Sequence, residues 1–277
     1  MLIQENSGRA GKGHAGRIIT LLTDFGLRDV YTGILKGVII GIAPSVAIVD
    51  LTHEIPPQDV RAASLCLAMA YPYFPKGTIH LAVVDPGVGT QRRAVAVAMD
   101  DSVLVGPDNG IFSGVFQKGG VQRAVALTRA EFWLTENPGC TFHGRDIFAP
   151  AAAYLASGVP LARLGEAVDP ATLVRLDPAG WSEDGDGFSG CIQYVDTFGN
   201  LVTDIPGRLV EGKQWKIQAA GQEIPGGKTY GGVSPGALLG LVGSHGFVEI
   251  AENGGSARIS LAMKLGDPVR LVYDDVR

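Results

Sequence analysis

The stretch RIITLLTDFG, residues 17–26, is the clearest fold signal in the chain. Its apolar run Ile18–Thr23 predicts a buried strand, which ends at the polar turn Asp24-Phe25-Gly26. Residues 30–43 then carry apolar side chains at helical spacing and stop before a proline, and residues 46–50 form a second apolar run. A strand, a helix and another strand in this order predict an α/β unit with parallel strands.

The same alternation continues to residue 168. Helices are predicted at 59–71, 108–117 and 146–156, and strands at 78–84, 93–99, 102–105 and 121–127. Several of these strands are almost entirely apolar, as expected when helices cover both faces of a largely parallel sheet. Residues 17–168 are therefore predicted to form an N-terminal α/β domain, preceded by a polar, flexible tail at residues 1–16.

Polar and glycine-rich residues fill the stretch 169–187, which we predict to be a linker. Beyond it the helical spacing disappears, and short strands are predicted at 188–195, 201–205, 214–219, 238–242, 247–251 and 268–273. Residues 188–277 are therefore predicted to form a small all-β barrel domain.

The composition of the chain limits its function classes. It has 277 residues, 46% of them hydrophobic, and a net charge of −5, which gives no reason to expect nucleic acid or an anionic membrane as a partner. The apolar runs are too short to span a membrane and we find no targeting signal, so we expect a cytoplasmic protein. The three widely spaced cysteines, Cys66, Cys140 and Cys191, predict neither a disulfide framework nor a structural zinc site.

Two polar clusters follow predicted strands, where α/β enzymes place their ligands. Asp24 follows the first strand, where its carboxylate could accept hydrogen bonds from a ribose diol or could equally be a helix-entry residue without a ligand. The loop 85–92 places Asp85 and Arg92 at opposite ends of a glycine-rich turn, where they can face each other. The loop matches neither a Walker motif nor GxGxxG, and a surface ion pair explains the spacing equally well.

Two further clusters are less specific. His143 lies in TFHGRD at 141–146, just ahead of a predicted helix, although a structural histidine is the commoner explanation for one such residue. DTFGN at 196–200 occupies a turn of the β domain, which a plain hairpin turn explains as well.

Taken together and in this order, these motifs resemble the S-adenosylmethionine hydroxide adenosyltransferase family. That family is related to the fluorinase and chlorinase enzymes, which attack S-adenosylmethionine with halide. The resemblance runs from about Ile18 to the C-terminus. The motifs that carry it are TDFG at 23–26, DLTHEIPPQDV at 50–60, VVDPGVGT at 83–90, GPDNG at 106–110, TFHGRDIFAP at 141–150, DTFGN at 196–200 and SHGFVEIAENGGSA at 244–257.

The resemblance implies the substrate S-adenosyl-L-methionine and its hydrolysis to adenosine and L-methionine. It implies an N-terminal α/β domain with a C-terminal β barrel. It also implies a homotrimer, in which each active site lies between the N-terminal domain of one subunit and the C-terminal domain of its neighbour.

Roles for the polar substrate-binding residues are carried over from the same resemblance. Asp24 would hold the ribose hydroxyls, and Asp196 and Asn200 would bind the methionine amine and carboxylate with help from Ser244. The sequence departs from the halogenases at His245, where those enzymes have an arginine that grips the carboxylate.

Aromatic and backbone groups complete the implied pocket. Phe198 and Tyr230 would pack on the adenine, and the Asn253 loop would read its edge through backbone groups. Phe142 would line the pocket beside the reacting carbon. Gln58 stands where the halogenases have a pocket tryptophan.

Asp85, Arg92 and His143 match the acid–base–histidine trio of the hydroxide-using branch. A sulfonium is already an activated leaving group, so the enzyme has to align a nucleophile behind C5′ and remove a proton from water. Arg92 beside a bound water favours hydroxide, and Asp85 or His143 could take the proton. This chemistry requires no metal and no other cofactor, and the sequence lacks HxH and HExxH metal-binding spacings.

Three other functions fit parts of the sequence less well. Halide transfer keeps the ligand, but the Asp85 carboxylate would repel an anion at about 4 Å by roughly 4 kcal/mol at an effective dielectric near 20. A non-catalytic nucleoside-binding or regulatory protein would use the trio as a structural ion-pair network. A methyltransferase is disfavoured because Asp24-Phe25-Gly26 stands where its glycine-rich loop would follow the first strand.

Overall fold

The computed structural model describes residues 17–177 and 180–274. One compact unit ends at Arg175 and a second begins at Leu176. The predicted flexible tail, 1–16, lies outside the described residues. None of the helices in the described part of the chain is long and apolar enough to cross a membrane.

The first unit is a seven-stranded sheet with helices packed on it, which confirms the predicted α/β fold. The strands are β1 (Ile18–Thr23), β2 (Ala47–Thr52), β3 (Ile79–Val83), β4 (Ala94–Met99), β5 (Val103–Pro107), β6 (Val121–Ala126) and β7 (Glu166–Val168). The helices are α1 (Tyr31–Ile42), α2 (Val60–Ala70), α3 (Ser113–Phe116) and α4 (Ala149–Ala156). In the sheet order β2-β1-β3-β5-β4-β6-β7, the first four strands run parallel and the rest are joined by antiparallel pairs.

The register of β1 and β3 places two polar turns at one edge of this sheet. Five of the six residues of β1 are buried, and Thr23 at its end pairs with Val83 at the end of β3. Asp24 and Asp85 therefore leave neighbouring parallel strands at the same edge, where ligand sites of α/β folds form. Within the sheet, burial lowers the pKa of His80 to about 4, so this histidine is a neutral core residue at pH 7.

The last helix of the first unit starts differently from the sequence expectation. A π-helical turn, Gly144–Phe148, precedes α4, whereas the sequence predicted one helix from residue 146. Pro150 has no N–H to donate to the carbonyl of Asp146. That carbonyl instead accepts a hydrogen bond from the backbone of Leu134, at 2.9 Å. A tertiary contact thus replaces one bond of the regular helix.

The second unit is an antiparallel sheet of eight strands that curls towards closure, as predicted for a small β barrel. Its elements are β8 (Ser182–Asp184), β9 (Gly187–Val195), β10 (Leu201–Pro206), β11 (Trp215–Ala219), β12 (Gln222–Pro225), β13 (Leu238–Val242), β14 (Phe247–Glu252), the helix α5 (Ala257–Leu261) and β15 (Pro268–Tyr273). Beyond the end of β12, Gly227 donates to the carbonyl of Gly240 in β13 at 2.7 Å, which links the two ends of the sheet. The sequence pattern predicts neither β12 nor α5, and β8 lies inside the stretch 169–187 that is expected to be a linker.

Candidate active site

The turn that carries Asp24 is tied to the segment that follows β2. One Asp24 carboxylate oxygen accepts from the backbone N–H of Gln58 at 2.8 Å, and Gly26 donates to the carbonyl of His53 at 2.8 Å. Gln58 has a left-handed backbone with φ +67°, an uncommon conformation for a residue with a side chain. These two hydrogen bonds hold the turn that carries Asp24 against residues 53–58.

The buried His53 contacts Thr23, the residue that precedes the Asp24 turn. Nδ1 of His53 is 2.8 Å from Oγ1 of Thr23, and its Nε2 is 3.2 Å from a carboxylate oxygen of Asp50, without the direction of a hydrogen bond. Asp50 also accepts from Lys36 at 2.6 Å. Burial raises the pKa of Asp50, but the contacts with Lys36 and His53 outweigh it and hold this pKa below its ordinary value.

Asp85 and Arg92 form a bidentate ion pair within the loop that follows β3. Nε of Arg92 lies 2.9 and 3.0 Å from the two carboxylate oxygens, and its Nη2 donates to Oδ2. The side chains of Asp85 and Arg92 are only 6% and 10% exposed, so a surface ion pair does not describe this contact.

His143 joins this pair through the guanidinium. Nη2 of Arg92 donates to Nδ1 of His143 at 2.8 Å, so the neutral ring carries its proton on Nε2. Burial, and then the charge of Arg92, lower the pKa of His143 below 6.5, although nearby carboxylates act in the opposite direction. The guanidinium also lies 5.2 Å from the centre of the Phe148 ring. Asp85, Arg92 and His143 thus form one hydrogen-bonded chain.

A glycine brings the Asp85 loop against the segment that carries His143. Gly89 has φ +75°, and a Cβ at this position would lie 2.4 Å from the carbonyl oxygen of Cys140. Because only glycine allows both this backbone conformation and this close approach, Gly89 sets how near the loop comes to residues 141–146.

Phe142 connects the trio to the Asp24 turn. Its ring packs edge-to-face on Phe25 at 5.7 Å and on Tyr31 at 5.4 Å between ring centres. Phe25 is the residue after Asp24, and His143 is the residue after Phe142. Asp24, Phe142 and the trio therefore all lie in the first unit, linked through contacts of the Phe142 ring and its neighbours.

In the second unit, Asp196 and Asn200 are bonded to each other in one tight turn. Asp196 Oδ1 accepts from the backbone of Phe198 at 2.9 Å and of Asn200 at 2.8 Å, while its Oδ2 accepts from the Asn200 amide at 2.9 Å. Gly199 completes the turn with φ +81°. Phe198 at the tip is 75% exposed, so its ring is open to a ligand or to another chain.

Tyr230 presents its ring from the same unit. Its hydroxyl donates to Glu249 at 2.6 Å, and Glu249 also receives a hydrogen bond from Nε2 of His245 at 2.8 Å. Burial of the phenol, followed by the Glu249 hydrogen bond, raises the pKa of Tyr230, and the Asp196 carboxylate adds to this effect. Tyr230 and the Asp196 turn are therefore near enough to interact electrostatically.

Ser244 and Asn253, two further predicted substrate contacts, have different surroundings. Ser244 is exposed in the turn between β13 and β14. The side chain of Asn253 donates to the carbonyl of Val233 at 2.7 Å, and its backbone N–H donates to Ala237 at 3.0 Å. Asn253 thus holds its own loop in place, and its N–H is already used there.

Comparison with known proteins matches both units. Residues 19–165 match the SAM hydroxide adenosyltransferase N-terminal domain, and residues 190–270 match the C-terminal domain of the same family. The chain belongs to this family.

Individual relatives of this family member are similar over most of their length. The (R)-S-adenosyl-L-methionine hydrolase of Salinispora tropica is 45% identical over 254 residues, which cover 91% of this chain and 97% of that protein. The fluorinase of Actinopolyspora mzabensis is 27% identical over 290 residues, covering 92% and 96%. The crystal structure of an uncharacterized conserved protein from Thermotoga maritima has a TM-score of 0.86 at 38% identity, covering 92% of this chain and 99% of that one.

Two residues with no role predicted from the sequence are hydrogen-bonded to predicted site residues or to their neighbours in the structure. His53 supports the Asp24 turn, and its position in the quoted motif DLTHEIPPQDV was the available signal. Glu249 receives the Tyr230 hydroxyl, and its signal was a lone charge inside an apolar run. Among the described residues, no group of three or more histidine, cysteine or acidic side chains is placed to hold a metal ion.

Proposed function

We propose that this protein hydrolyses S-adenosyl-L-methionine to adenosine and L-methionine. In the proposed reaction an oxygen of water or hydroxide bonds to C5′, the C5′–S bond breaks with its electron pair moving to sulfur, and one proton is released. The observation that carries the proposal is the buried Asp85–Arg92 ion pair, hydrogen-bonded to the half-buried His143 next to Phe142.

The trio supplies what a weak nucleophile needs. The Arg92 guanidinium lowers the free energy of an oxygen that gains negative charge as its proton leaves. Nδ1 of His143 is taken by Arg92, so the ring can offer its Nε2–H to the attacking oxygen but has no free lone pair to act as a base. We therefore assign proton acceptance to the Asp85 carboxylate, whose Oδ1 accepts only one of the three bonds from Arg92.

Neutral water is favoured over halide by the same contacts, because water can donate a hydrogen bond to the Asp85 carboxylate and a halide ion cannot. A carboxylate beside the nucleophile repels a bound halide ion, as estimated from the sequence. Arg92 offsets part of this charge, but its Nε and Nη2 are already committed to Asp85 and His143. The relative at 45% identity is named a hydrolase, whereas the fluorinase is 27% identical.

The name of that hydrolase specifies the R configuration, and we propose the R sulfonium epimer as substrate here. The test is incubation of pure protein with each separated sulfonium epimer, followed by chromatography of the products. We expect adenosine and methionine in equal amounts from the R epimer, and no halogenated nucleoside when chloride or fluoride is added. A halogenated product would indicate halide transfer, and nucleoside binding without turnover would indicate a non-catalytic protein.

Reaction in oxygen-18 water tests the bond that forms. Attack of water on C5′ places the heavy oxygen in the 5′-hydroxyl of adenosine. Heavy oxygen in methionine, or in neither product, contradicts the proposed attack and the assigned role of Asp85.

We also propose that the protein is a cytoplasmic homotrimer in which neighbouring subunits complete each site, as the resemblance implies. The expected site residues fall in both units, which supports sharing of this kind. Asp85→Ala and Asn200→Ala proteins should each be inactive, and mixing them under subunit exchange should restore part of the activity. Exchange demonstrated without recovery contradicts a shared site.

A further inference from the structure

Glu249 is a carboxylate placed in an apolar part of the second unit. It lies near the middle of β14 and pairs with Val202 of β10 on one side and Leu241 of β13 on the other. Both of these neighbours are buried, and Glu249 itself is only 3% exposed. A buried carboxylate is costly unless donors reach both of its oxygens.

Two side chains provide these donors, one for each oxygen. The Tyr230 hydroxyl reaches Oε1 at 2.6 Å, and Nε2 of His245 reaches Oε2 at 2.8 Å. The backbone N–H of Phe247 donates to Nδ1 of His245 at 3.1 Å, so the proton of the neutral ring lies on Nε2 and points to Glu249. Both nitrogens of His245 are therefore occupied within the unit.

The absence of a side chain at Gly243 leaves space for the His245–Glu249 hydrogen bond. A Cβ added to Gly243 would lie 2.3 Å from Nε2 of His245 and 2.5 Å from Oε2 of Glu249. Any side chain at residue 243 would push the imidazole and the carboxylate apart. Gly243 is thus a means of testing the contact without altering either partner.

Tyr230 is anchored at its hydroxyl while its ring stays accessible. The residue is 46% exposed, although its hydroxyl is bonded to a carboxylate that is almost fully buried. A surface aromatic fixed in this way loses little rotational freedom when a ligand stacks on it. The anchor therefore prepares the ring for a flat ligand.

We propose that Glu249 is a positioning residue for the substrate, which locks the Tyr230 ring and the turn carrying Ser244 and His245 into one preformed nucleoside and methionine subsite. The proposal rests on the proposed function, because it takes Tyr230 as the adenine contact. It assigns His245 a supporting role, since its ring nitrogens are already engaged. In this proposal the methionine carboxylate is bound by Ser244 and not by the His245 ring.

Three variants test the proposal by different routes. Glu249→Gln keeps an acceptor for Tyr230 but turns an amide N–H towards the N–H of His245. Tyr230→Phe removes only the anchoring hydroxyl, and Gly243→Ala separates the His245–Glu249 pair. For each we expect the KM for substrate and the Kd for adenosine to rise about tenfold, the usual effect of losing a hydrogen bond to a charged group, with kcat within about threefold of wild type.

Two matched substitutions in the same unit act as controls. Glu223→Gln alters an exposed glutamate bonded to Lys216, and Tyr273→Phe removes a hydroxyl bonded to the carbonyl of Leu209. Both should leave KM and the adenosine Kd near the wild-type values. Thermal unfolding of every variant separates loss of fold from loss of positioning.

KM and adenosine Kd within about twofold of wild type in folded Tyr230→Phe and Gly243→Ala proteins would overturn the proposal, even if Glu249→Gln failed to fold. A loss confined to kcat, or an equal loss in the two controls, would overturn it as well. Failure of the proposed function is a separate result, since wild-type protein would then form no adenosine. Adenosine binding by calorimetry still compares the variants in that case.

Discussion

Each unit of the chain holds a carboxylate and a histidine in one hydrogen-bonded group, but the two groups are built differently. In the first unit Arg92 lies between Asp85 and His143 and is bonded to both. In the second unit Glu249 accepts directly from a neutral histidine and a phenol. The donor to Asp85 is a cationic guanidinium, whereas the donors to Glu249 are a phenol and an imidazole whose Nδ1 accepts a backbone N–H.

Because of this difference, the Asp85–Arg92–His143 group is suited to catalysis and the Glu249 group to positioning the substrate. An oxygen that gains negative charge is stabilised beside Arg92, while an unbalanced carboxylate at the same distance would repel it. The Glu249 group contains no arginine or lysine, and its two hydrogen bonds hold the Tyr230 and His245 side chains in place. We therefore expect loss of the first group to reduce turnover and loss of the second to reduce binding.

The largest expected effect comes from breaking the first group. Arg92→Ala should lower kcat about a thousandfold, within the range attributed to acid–base and electrostatic catalysis, with less than threefold change in the adenosine Kd. His245→Ala should instead raise KM about tenfold and leave kcat within about threefold. Steady-state kinetics on both proteins measure the contrast directly.

Arg93 provides a matched control for Arg92. It is the next residue, and its Nε donates to the buried Asp108 at 2.7 Å, away from the trio. Arg93→Ala should destabilise the fold, because it leaves the buried Asp108 carboxylate with the Val174 N–H but without its cation, yet keep kcat near the wild-type value. If Arg93→Ala and Arg92→Ala lose turnover equally, the Arg92 effect is one of stability and its proposed role is wrong.

The two histidines should differ in their effect on the pH dependence of turnover. The lowered pKa of His143 means that its ring is neutral above pH 6.5 and becomes protonated only as pH falls further. A protonated Nδ1 cannot accept from Arg92, so kcat/KM should be flat from about pH 6.5 to 8 and fall about tenfold per pH unit below the pKa.

The acid limb should disappear in His143→Gln and persist in His245→Gln, because only His143 belongs to the reacting group. The profile should be measured over the pH range in which circular dichroism shows each protein folded. Persistence of the limb in His143→Gln would assign it to another residue.

The sequence predicted that Asp24 and the Asp85 loop each follow an apolar strand of the first unit, but it predicted no strand order. An apolar run followed by a polar turn occurs at the ends of β1 and β3, and these strands pair with Thr23 opposite Val83. Only the observed pairing of β1 with β3 makes Asp24 and Asp85 neighbours along one edge of the sheet. The spacing of Asp85 and Arg92 allowed an ion pair, but only the structure shows that this pair is buried.

Other features depend on contacts that a linear pattern does not contain. At the π-helical turn before α4, the carbonyl of Asp146 that Pro150 cannot satisfy accepts from the distant backbone N–H of Leu134. Glu249 interrupts the apolar run of β14, and its significance depends on Tyr230, which lies 19 positions earlier. Short elements such as β12 and α5 carry too few residues for a period to be recognised.

The smallest expected effect compares the glycines that leave room for the two groups. Gly89→Ala would place a Cβ 2.4 Å from the carbonyl of Cys140, at a backbone φ of +75°. Since backbone atoms must move, we expect a loss of about 3 kcal/mol in the free energy of unfolding. The three atoms nearest to a Cβ at Gly243 all belong to the ends of the His245 and Glu249 side chains, so we expect a loss of about 1 kcal/mol in Gly243→Ala.

Gly77→Ala separates backbone strain from crowding at Gly89. Gly77 also has a left-handed backbone, with φ +85°, but a Cβ there would meet no atom within 4 Å. Its substitution should therefore cost about 1 kcal/mol, from conformation alone. Urea unfolding of the three variants gives the comparison. An equal loss in Gly89→Ala and Gly77→Ala would mean that contact with Cys140 contributes nothing, and that the Asp85 loop is held near His143 by the Arg92 hydrogen bonds instead.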